Sequence, residues 1–275
     1  AKKKESFSFY FQGKRISIKD IHVVWNRRGL FKMNSIPADE IQYNVSPNTL
    51  NRHYWEEQKA LADYFYFQLS QKKHINFQGH YNTNKLIALS KAVKHGIAVP
   101  ETTISGDFSM IKTEYDYVIK NLQDVFSYSS EEQFVSDYVK KLEKHLVNPE
   151  DRFFYSLFQR KIDPIVEIRT FFFLDLWYSL AIFPTTKIDY RENIFQSPPR
   201  MVPYKLPEFY KQKLQGLMAD MDLNSGSIDT LYDGEEYYFL EVNPVGQFDF
   251  VSGIGNYYIE RDIALKLKQL DENGR

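Results

Sequence analysis

Along the first quarter of the chain the apolar residues come at a strand-like spacing. Ser6 to Phe11 alternates aromatic and polar residues, Gly13 turns the chain, and Ile16 and Ile18 alternate again. Ile21 to Trp25 reads as another short strand, closed by Asn26-Arg27-Arg28-Gly29. Residues 29–48, with Pro37 and Pro47, read as a loop. The spacing then lengthens to that of a helix. Asn48 or Asn51 is the expected cap of a helix reaching about Leu69, with Trp55, Leu61, Tyr64 and Phe65 as its apolar stripe. His74 to Phe77 reads as a short strand.

A second unit opens at Asn84. Leu86, Leu89, Ala92 and Val93 form a helical stripe that Gly96 ends, and strands follow at Thr102 to Ile104 and Tyr117 to Lys120. Residues 131–146 read as a charged helix and Ser156 to Ile162 as a strand. Glu167 to Phe183 reads as a hairpin turning at Asp175-Leu176. Residues 184–204 read as a long Pro-rich loop, Pro207 to Met221 as a helix, and Ile259 to Leu270 as a closing helix. Strands and helices are mixed without a strict βαβ alternation, so the fold class is α+β.

The 275 residues suffice for two or three small lobes. A net charge of −1 gives no basic excess for a phosphate backbone, which argues against nucleic acid as the main partner. With no cysteine there is no disulfide framework and no thiolate site, and the plain expectation is a reducing cytoplasm. The longest apolar run, Phe171 to Phe183, is broken by Asp175 and too short for a membrane span.

Chemistry concentrates near the C-terminal end. Gly226-Ser227-Ile228-Asp229 and Tyr238-Phe239-Leu240-Glu241-Val242-Asn243-Pro244 are strand-like runs around a turn at Asp233-Gly234. Carboxylate and amide oxygens inside apolar strands are costly unless paired or bound to a metal. Three hard oxygen donors suit Mg²⁺. Glu241 and Asn243, two apart, share a face. Asp229 joins them if the loop is of odd length or the ladder contains a bulge. A loop of Asp233-Gly234-Glu235 would pair Asp229 with Phe239 and leave Asp229 and Glu241 diagonal neighbours, roughly 7–8 Å apart.

Other candidates precede this hairpin. Lys85 opens a helix and Lys120 ends a strand; each alone would be an ordinary surface lysine, but together with the hairpin they suit phosphate oxygens. Phe158-Gln159-Arg160-Lys161-Ile162 passes from strand to loop and can offer backbone groups to a base, with Glu167 placed to hold ribose hydroxyls. Arg169 begins a strand, where a guanidinium needs an anion or an ion pair with Glu167 or Asp229. Arg191, in the following loop, is a candidate for charge stabilisation on a transferring phosphoryl group.

The order Asn84-Lys85, Gly96-Ile97-x-Val99-Pro100-x-Thr102, Ile119-Lys120, Gln159-x-x-Ile162, Glu167-x-Arg169, Asp229 and Glu241-x-Asn243-Pro244 resembles the ATP-grasp ligases. A narrower resemblance is carried by Val24-Trp25-Asn26-Arg27-Arg28-Gly29, Glu167 to Phe171, Val202 to Pro207 and Glu241 to Phe248. These runs look like the grasp-with-spasm peptide maturases, of the graspetide (microviridin-type) synthetase group. The resemblance implies an ATP-grasp fold, two α+β lobes closing on ATP, with a small N-terminal pre-ATP-grasp lobe. The lobes would be residues 1–83, 84–160 and 161–275.

It also implies an activity. ATP would phosphorylate a Glu or Asp side chain of a ribosomally made precursor peptide, and a side chain of the same peptide would displace the phosphate as an ω-ester or ω-amide. Mg²⁺ would lie on Asp229, Glu241 and Asn243, and the phosphates on Lys85, Lys120 and Arg169. Gln159, Lys161 and Ile162 would frame the adenine, Glu167 would hold the ribose, and Arg169 and Arg191 would be the catalytic arginines. A homodimer is implied too. Against the family pattern, no Gly-rich loop follows Lys120, the turn at Asp175 lacks its glycine, and the opening strand-helix-strand is expected to be cut short before Ser6. The alternatives are an amino-acid ligase of the ribosomal-protein glutamate ligase type and a non-catalytic, nucleotide-gated peptide-binding protein.

Overall fold

The computed structural model describes residues 7–27, 47–76, 83–112, 114–122, 127–129, 134–136, 140–143, 148, 150–183 and 198–272. In chain order the strands are β1 (Ser8–Phe11), β2 (Lys14–Ser17), β3 (Val23–Trp25), β4 (Lys73–Ile75), β5 (Thr102–Asp107), β6 (Tyr117–Lys120), β7 (Ser127–Ser129), β8 (Phe134–Ser136), β9 (Lys140–Lys141), β10 (Arg152–Arg160), β11 (Val166–Phe173), β12 (Leu176–Ile182), β13 (Met201–Tyr204), β14 (Ser225–Tyr232) and β15 (Tyr237–Asn243). The helices are α1 (Pro47–Ser70), α2 (Lys85–Lys94), α3 (Glu208–Asp220), α4 (Asp249–Gly255) and α5 (Ile259–Glu272). The chain divides into two compact units. One holds residues 1–81 and 261–275, and the other residues 82–260.

In the first unit β1 and β2 form a hairpin whose turn, Gln12-Gly13, has both φ angles positive. β3 and β4 pair in parallel, with α1 as their connection. Phe65, Tyr66 and Leu69 of α1 bury against Ile18, with Phe7 and Phe9 alongside. The expected stripe is therefore corrected: Phe65 is buried, but Trp55, Leu61 and Tyr64 are exposed. Periodicity shows which residues share a side of a helix, not how far along it anything covers them. His22 Nδ1 lies 2.5 Å from Asp271 Oδ1, tying the end of α5 to the segment before β3.

The second unit contains two larger antiparallel sheets. One has the order β5-β10-β6-β9 and the other β13-β12-β11-β14-β15. Alternation along the five-stranded sheet sends Ile168, Phe172, Ile228, Phe239 and Val242 to one face. There they join Ala88, Leu89 and Ala92 of α2 and Tyr210, Leu214 and Leu217 of α3 in one core. The Asn84 side chain caps α2 as expected, accepting from the backbone N–H groups of Leu86 (3.0 Å) and Ile87 (3.2 Å). The opposite face is split. Phe171 packs against Phe248 at the start of α4, whereas the half made by Glu167, Arg169, Asp229, Glu241 and Asn243 is polar.

Several expectations need correction. The described residues within the expected charged helix 131–146 include strands β8 and β9, not helical turns. Leu142 is buried, its N–H bonded to Tyr117 O, so partners distant in sequence override the local charged pattern. β13 lies inside the expected loop 184–204, paired with β12. The β11–β12 turn is Leu174-Asp175, one residue earlier than expected, and Leu174 takes the left-handed conformation (φ 56°) where a glycine would be easier.

Candidate active site

The acidic hairpin is built by register. Its turn holds four residues, Asp233 to Glu236, since Tyr232 pairs with Tyr237. Asp233 Oδ1 accepts from the N–H groups of Glu235 and Glu236, both at 2.9 Å, and Gly234 takes φ +107°. The expected three-residue loop is not formed. From Tyr232 to Thr230 the ladder is regular, and continued unbroken it would set Asp229 against Leu240 with Glu241 pointing into the core. Instead a bulge intervenes, Thr230 pairing with Phe239 and Asp229 with Glu241. The two acids are therefore directly opposed, their Cα atoms about 4.5–5.5 Å apart, not diagonal. Ser227 opposes Asn243, so Asn243 shares their face.

Bases surround this pair. Arg169 opposes Asp229 on β11, and its Nη1 donates to both Asp229 oxygens. This is the ion pair that a purely structural role for Arg169 would require, and it also fixes the guanidinium beside the acids. Lys85, at the first turn of α2, reaches Glu241 Oε2 at 3.2 Å. Burial alone would push the Glu241 carboxyl up. The charges of Lys85, then Lys120, and of Arg169 outweigh it and hold the carboxyl below the usual range. Three residues proposed from sequence for phosphate, Lys85, Lys120 and Arg169, thus act on one carboxylate.

Glu241 and Asp229 keep 33 % and 25 % of their side-chain surface exposed. Asn243 Oδ1 accepts from Val245 N–H at 3.0 Å, within a turn closed by Gly246 N–H on Asn243 O (3.1 Å). Gly246 has φ +61°, and a Cβ there would come within 2.9 Å of the Phe171 ring, so the turn after Asn243 accepts only glycine. The turn orients the amide and leaves its oxygen a second lone pair. Two partly exposed carboxylates, already facing cationic side chains, and an oriented amide oxygen on one face fit Mg²⁺, which keeps several positions for water and phosphate.

The base-binding candidates lie on the four-stranded sheet. Gln159 pairs with Thr102 and Val118, and Leu157 with Lys120, so Gln159 and Lys120 share a face. Gln159 is buried. Its Nε2 donates to Thr102 Oγ1 (3.1 Å), and Thr102 Oγ1 donates to Pro100 O (2.8 Å). Because that hydroxyl spends its proton on Pro100, it can only accept from Gln159, which fixes the amide orientation. Gln159 Oε1 is buried without a partner among the described residues. Lys161 pairs with Asp163 and Ile162 is half-buried. Glu167 lies two residues from Arg169 on the same face of β11. Arg191 falls outside the described residues.

Sequence reasoning allowed a bulge but did not place it at Leu240, and it missed the role of Thr102 in orienting Gln159. It had a signal for the first: Val242 and Phe239 both lie in the core, a spacing of three that strict alternation forbids. No local signal marked the Lys85–Glu241 contact.

No protein-family model matches the chain, and no curated protein sequence matches it. Solved structures do. The macrocyclase MdnC of Microcystis aeruginosa MRC, bound with precursor peptide MdnA, superposes with a TM-score of 0.73 at 22 % identity, over 96 % of this chain and 84 % of that one. A RiPP-associated ATP-grasp ligase of Chryseobacterium gregarium, in complex with ADP and a leader and core peptide, gives 0.75 at 18 %, over 98 % and 84 %. The ATP-grasp ligase PsnB, complexed with minimal precursor, Mg and ADP, gives 0.68 at 15 %, over 98 % and 86 %. The chain has the ATP-grasp fold.

Proposed function

We propose that this chain is an ATP- and Mg²⁺-dependent ligase that crosslinks side chains within a ribosomally made precursor peptide. The observation that carries the reading is the convergence of Lys85, Lys120 and Arg169 on the opposed acids Asp229 and Glu241. The fold supports it, since similar structures hold ADP, Mg and precursor peptides.

The residues divide the work. Asp229, Glu241 and Asn243 would hold the cation, which would supply charge neutralisation for the phosphates. Lys85 and Lys120 stand beside them as point charges for phosphate, and Arg169 is held by Asp229 at the same place. Gln159, Lys161 and Ile162 would frame the base, and Glu167 would hold the ribose. Arg191 would stabilise the transferring phosphoryl group. A peptide carboxylate oxygen attacks the γ-phosphorus and ADP leaves. A hydroxyl or amine of the same peptide then attacks the acyl carbon, losing its proton as phosphate departs. No protein nucleophile enters; positioning and charge do the chemistry. The same reading takes the enzyme as a cytoplasmic homodimer without a nucleic-acid partner. No described helix is long and apolar enough to cross a membrane.

Mass spectrometry with ATP, Mg²⁺ and candidate precursor peptides tests this. The expected product is lighter by one water per ring, with one ADP formed per ring. A peptide that gains the mass of an amino acid would replace the reading with an amino-acid ligase. Nucleotide-dependent peptide binding without ADP would replace it with a gated binder.

A further inference from the structure

β5 is an edge of the four-stranded sheet: it pairs with β10 on one side, and among the described residues no strand pairs with it on the other. An open edge presents backbone N–H and C=O groups that another extended chain can pair with. Proteins commonly blunt such an edge with a proline, a lysine or an inward charge. The β5 sequence Thr102-Thr103-Ile104-Ser105-Gly106-Asp107 has no proline or lysine. Its one charge, Asp107, is bound to Arg152.

β10 is distorted beside this edge. Between the pairs Arg152–Asp107 and Ser156–Ser105 the partner strand advances two residues while β10 advances four. A regular strand would alternate faces. Here Phe153 turns inward against Phe108 and Phe158, while its two successors both face water. Phe154 is 86 % and Tyr155 64 % exposed, their rings edge to face at 6.2 Å. The Tyr155 ring lies over Gly106, where a Cβ would meet it at 3.6 Å. Ile104 and Met110 are exposed nearby in the same segment of chain. A bulge that sends two adjacent aromatics into water beside an open edge makes a platform for another chain.

The edge itself dictates the occupant. Backbone that no described strand pairs with calls for backbone, so the partner is an extended strand. The charged residues at both ends of β5 are paired within the chain, Glu101 with Lys112 and Asp107 with Arg152, so β5 itself offers no unneutralised charge to recruit a charged segment. We propose that β5 accepts an uncharged, extended peptide segment as a fifth strand, with one apolar side chain seated on Phe154 and Tyr155. The natural occupant, a segment of the peptide substrate, rests on the ligase reading. Thr102 at the start of β5 contacts Gln159, so such a strand would run alongside the base-binding candidates.

The test measures binding of a fluorescent hexapeptide amide, Thr-Val-Thr-Phe-Thr-Val, to the whole chain without nucleotide. Two further versions carry N-methyl groups on one or the other alternate set of amides. The proposal expects saturable binding below about 1 mM, abolished by one methylation set and spared by the other. The exposed double variant Phe154→Ser, Tyr155→Ser should bind roughly tenfold more weakly, with unchanged melting temperature and unchanged Mg²⁺–ATP affinity. Absence of binding, equal loss with both methylation sets, or full binding by the double variant would each overturn it. So would sedimentation showing that a second copy of the chain occupies this edge, through a dimer that the double variant loses. Peptide-dependent ADP formation without strand addition would sink this inference alone. Strand addition without such turnover with any precursor would sink the ligase reading alone.

Discussion

Asp229 on β14 faces Glu241 on β15 because Leu240 is an extra residue in the ladder between them. The bulge turns Glu241 and Asn243 to the polar face and returns Val242 to the core. Without it, the same sequence would bury a carboxylate among Ile168, Ile228 and Phe239.

Register, not the bulge itself, should matter for function. Deleting Leu240 makes Glu241 follow Phe239 directly, so it still opposes Asp229 and still faces outward. The deletion is expected to fold and to keep Mg²⁺–ATP binding within a few-fold. Calorimetry of binding, with circular dichroism for folding, checks this. A folded deletion variant that no longer binds would show that the bulge geometry is itself required.

Each acid should be indispensable for turnover. Asp229→Asn or Glu241→Gln removes a charged oxygen from the proposed cation site and should lower the rate about 100- to 1000-fold while the fold persists. ADP release at saturating Mg²⁺ measures it. A rate within a few-fold of wild type would remove both residues from the metal assignment.

Glu241 should also shape acid stability. Its carboxyl is held below the ordinary glutamate value of 4.5. On acidification the unfolded chain's glutamate takes up its proton first, so the unfolded state binds more protons and stability falls. The contribution is complete above the ordinary value and is lost as pH drops through the lowered one. Urea midpoints from pH 7 down to 3 should therefore fall more steeply for wild type than for Glu241→Gln. Parallel curves would mean that Glu241 is not held ionised by its neighbours.

The elements that sequence made legible are those fixed by local chemistry. Asn84 caps α2, the strand pair β11 and β12 lies where its aromatic run stands, and Asp229, Glu241 and Asn243 reach one face. What escaped depends on distant partners. Lys140 and Lys141 are strand only because Ile119 and Val118 pair with them. β13 exists because β12 offers an edge. Leu240 hid the position of the bulge because an apolar residue beside Glu241 looks like ordinary alternation. Trp55 and Leu61 fit a helical stripe but stay exposed among the described residues.

Lys85 should act through both charge and position. It pairs with Glu241, and on the proposed reading it would also contact a phosphate oxygen. Charge-assisted hydrogen bonds contribute about 1.5–3 kcal/mol, so Lys85→Met should weaken Mg²⁺–ATP binding roughly 10- to 100-fold. Lys85→Arg keeps the charge in a different shape and should recover part of it. Equal affinity for wild type and Lys85→Met, by calorimetry with a non-hydrolysable analogue, would leave Lys85 as a partner of Glu241 and nothing more.

Gln159 should decide which base is accepted. Thr102 commits its proton to Pro100 and takes the Gln159 amino group, so the buried carbonyl oxygen is left an acceptor with no partner among the described residues. An unsatisfied buried acceptor costs about 1–3 kcal/mol, returned when a donor arrives. The exocyclic amine of adenine is such a donor; guanine carries an acceptor at that position and would set oxygen against oxygen. Wild type should therefore prefer ATP to GTP. Gln159→Leu, which removes the acceptor and keeps most of the volume, should narrow that preference roughly tenfold or more. Thr102→Val should narrow it too, because the amide then loses the partner that orients it. ATP and GTP compared at equal Mg²⁺, by binding and by ADP or GDP release, give the ratio. A preference unchanged in both variants would move base recognition to backbone groups near Lys161 and Ile162.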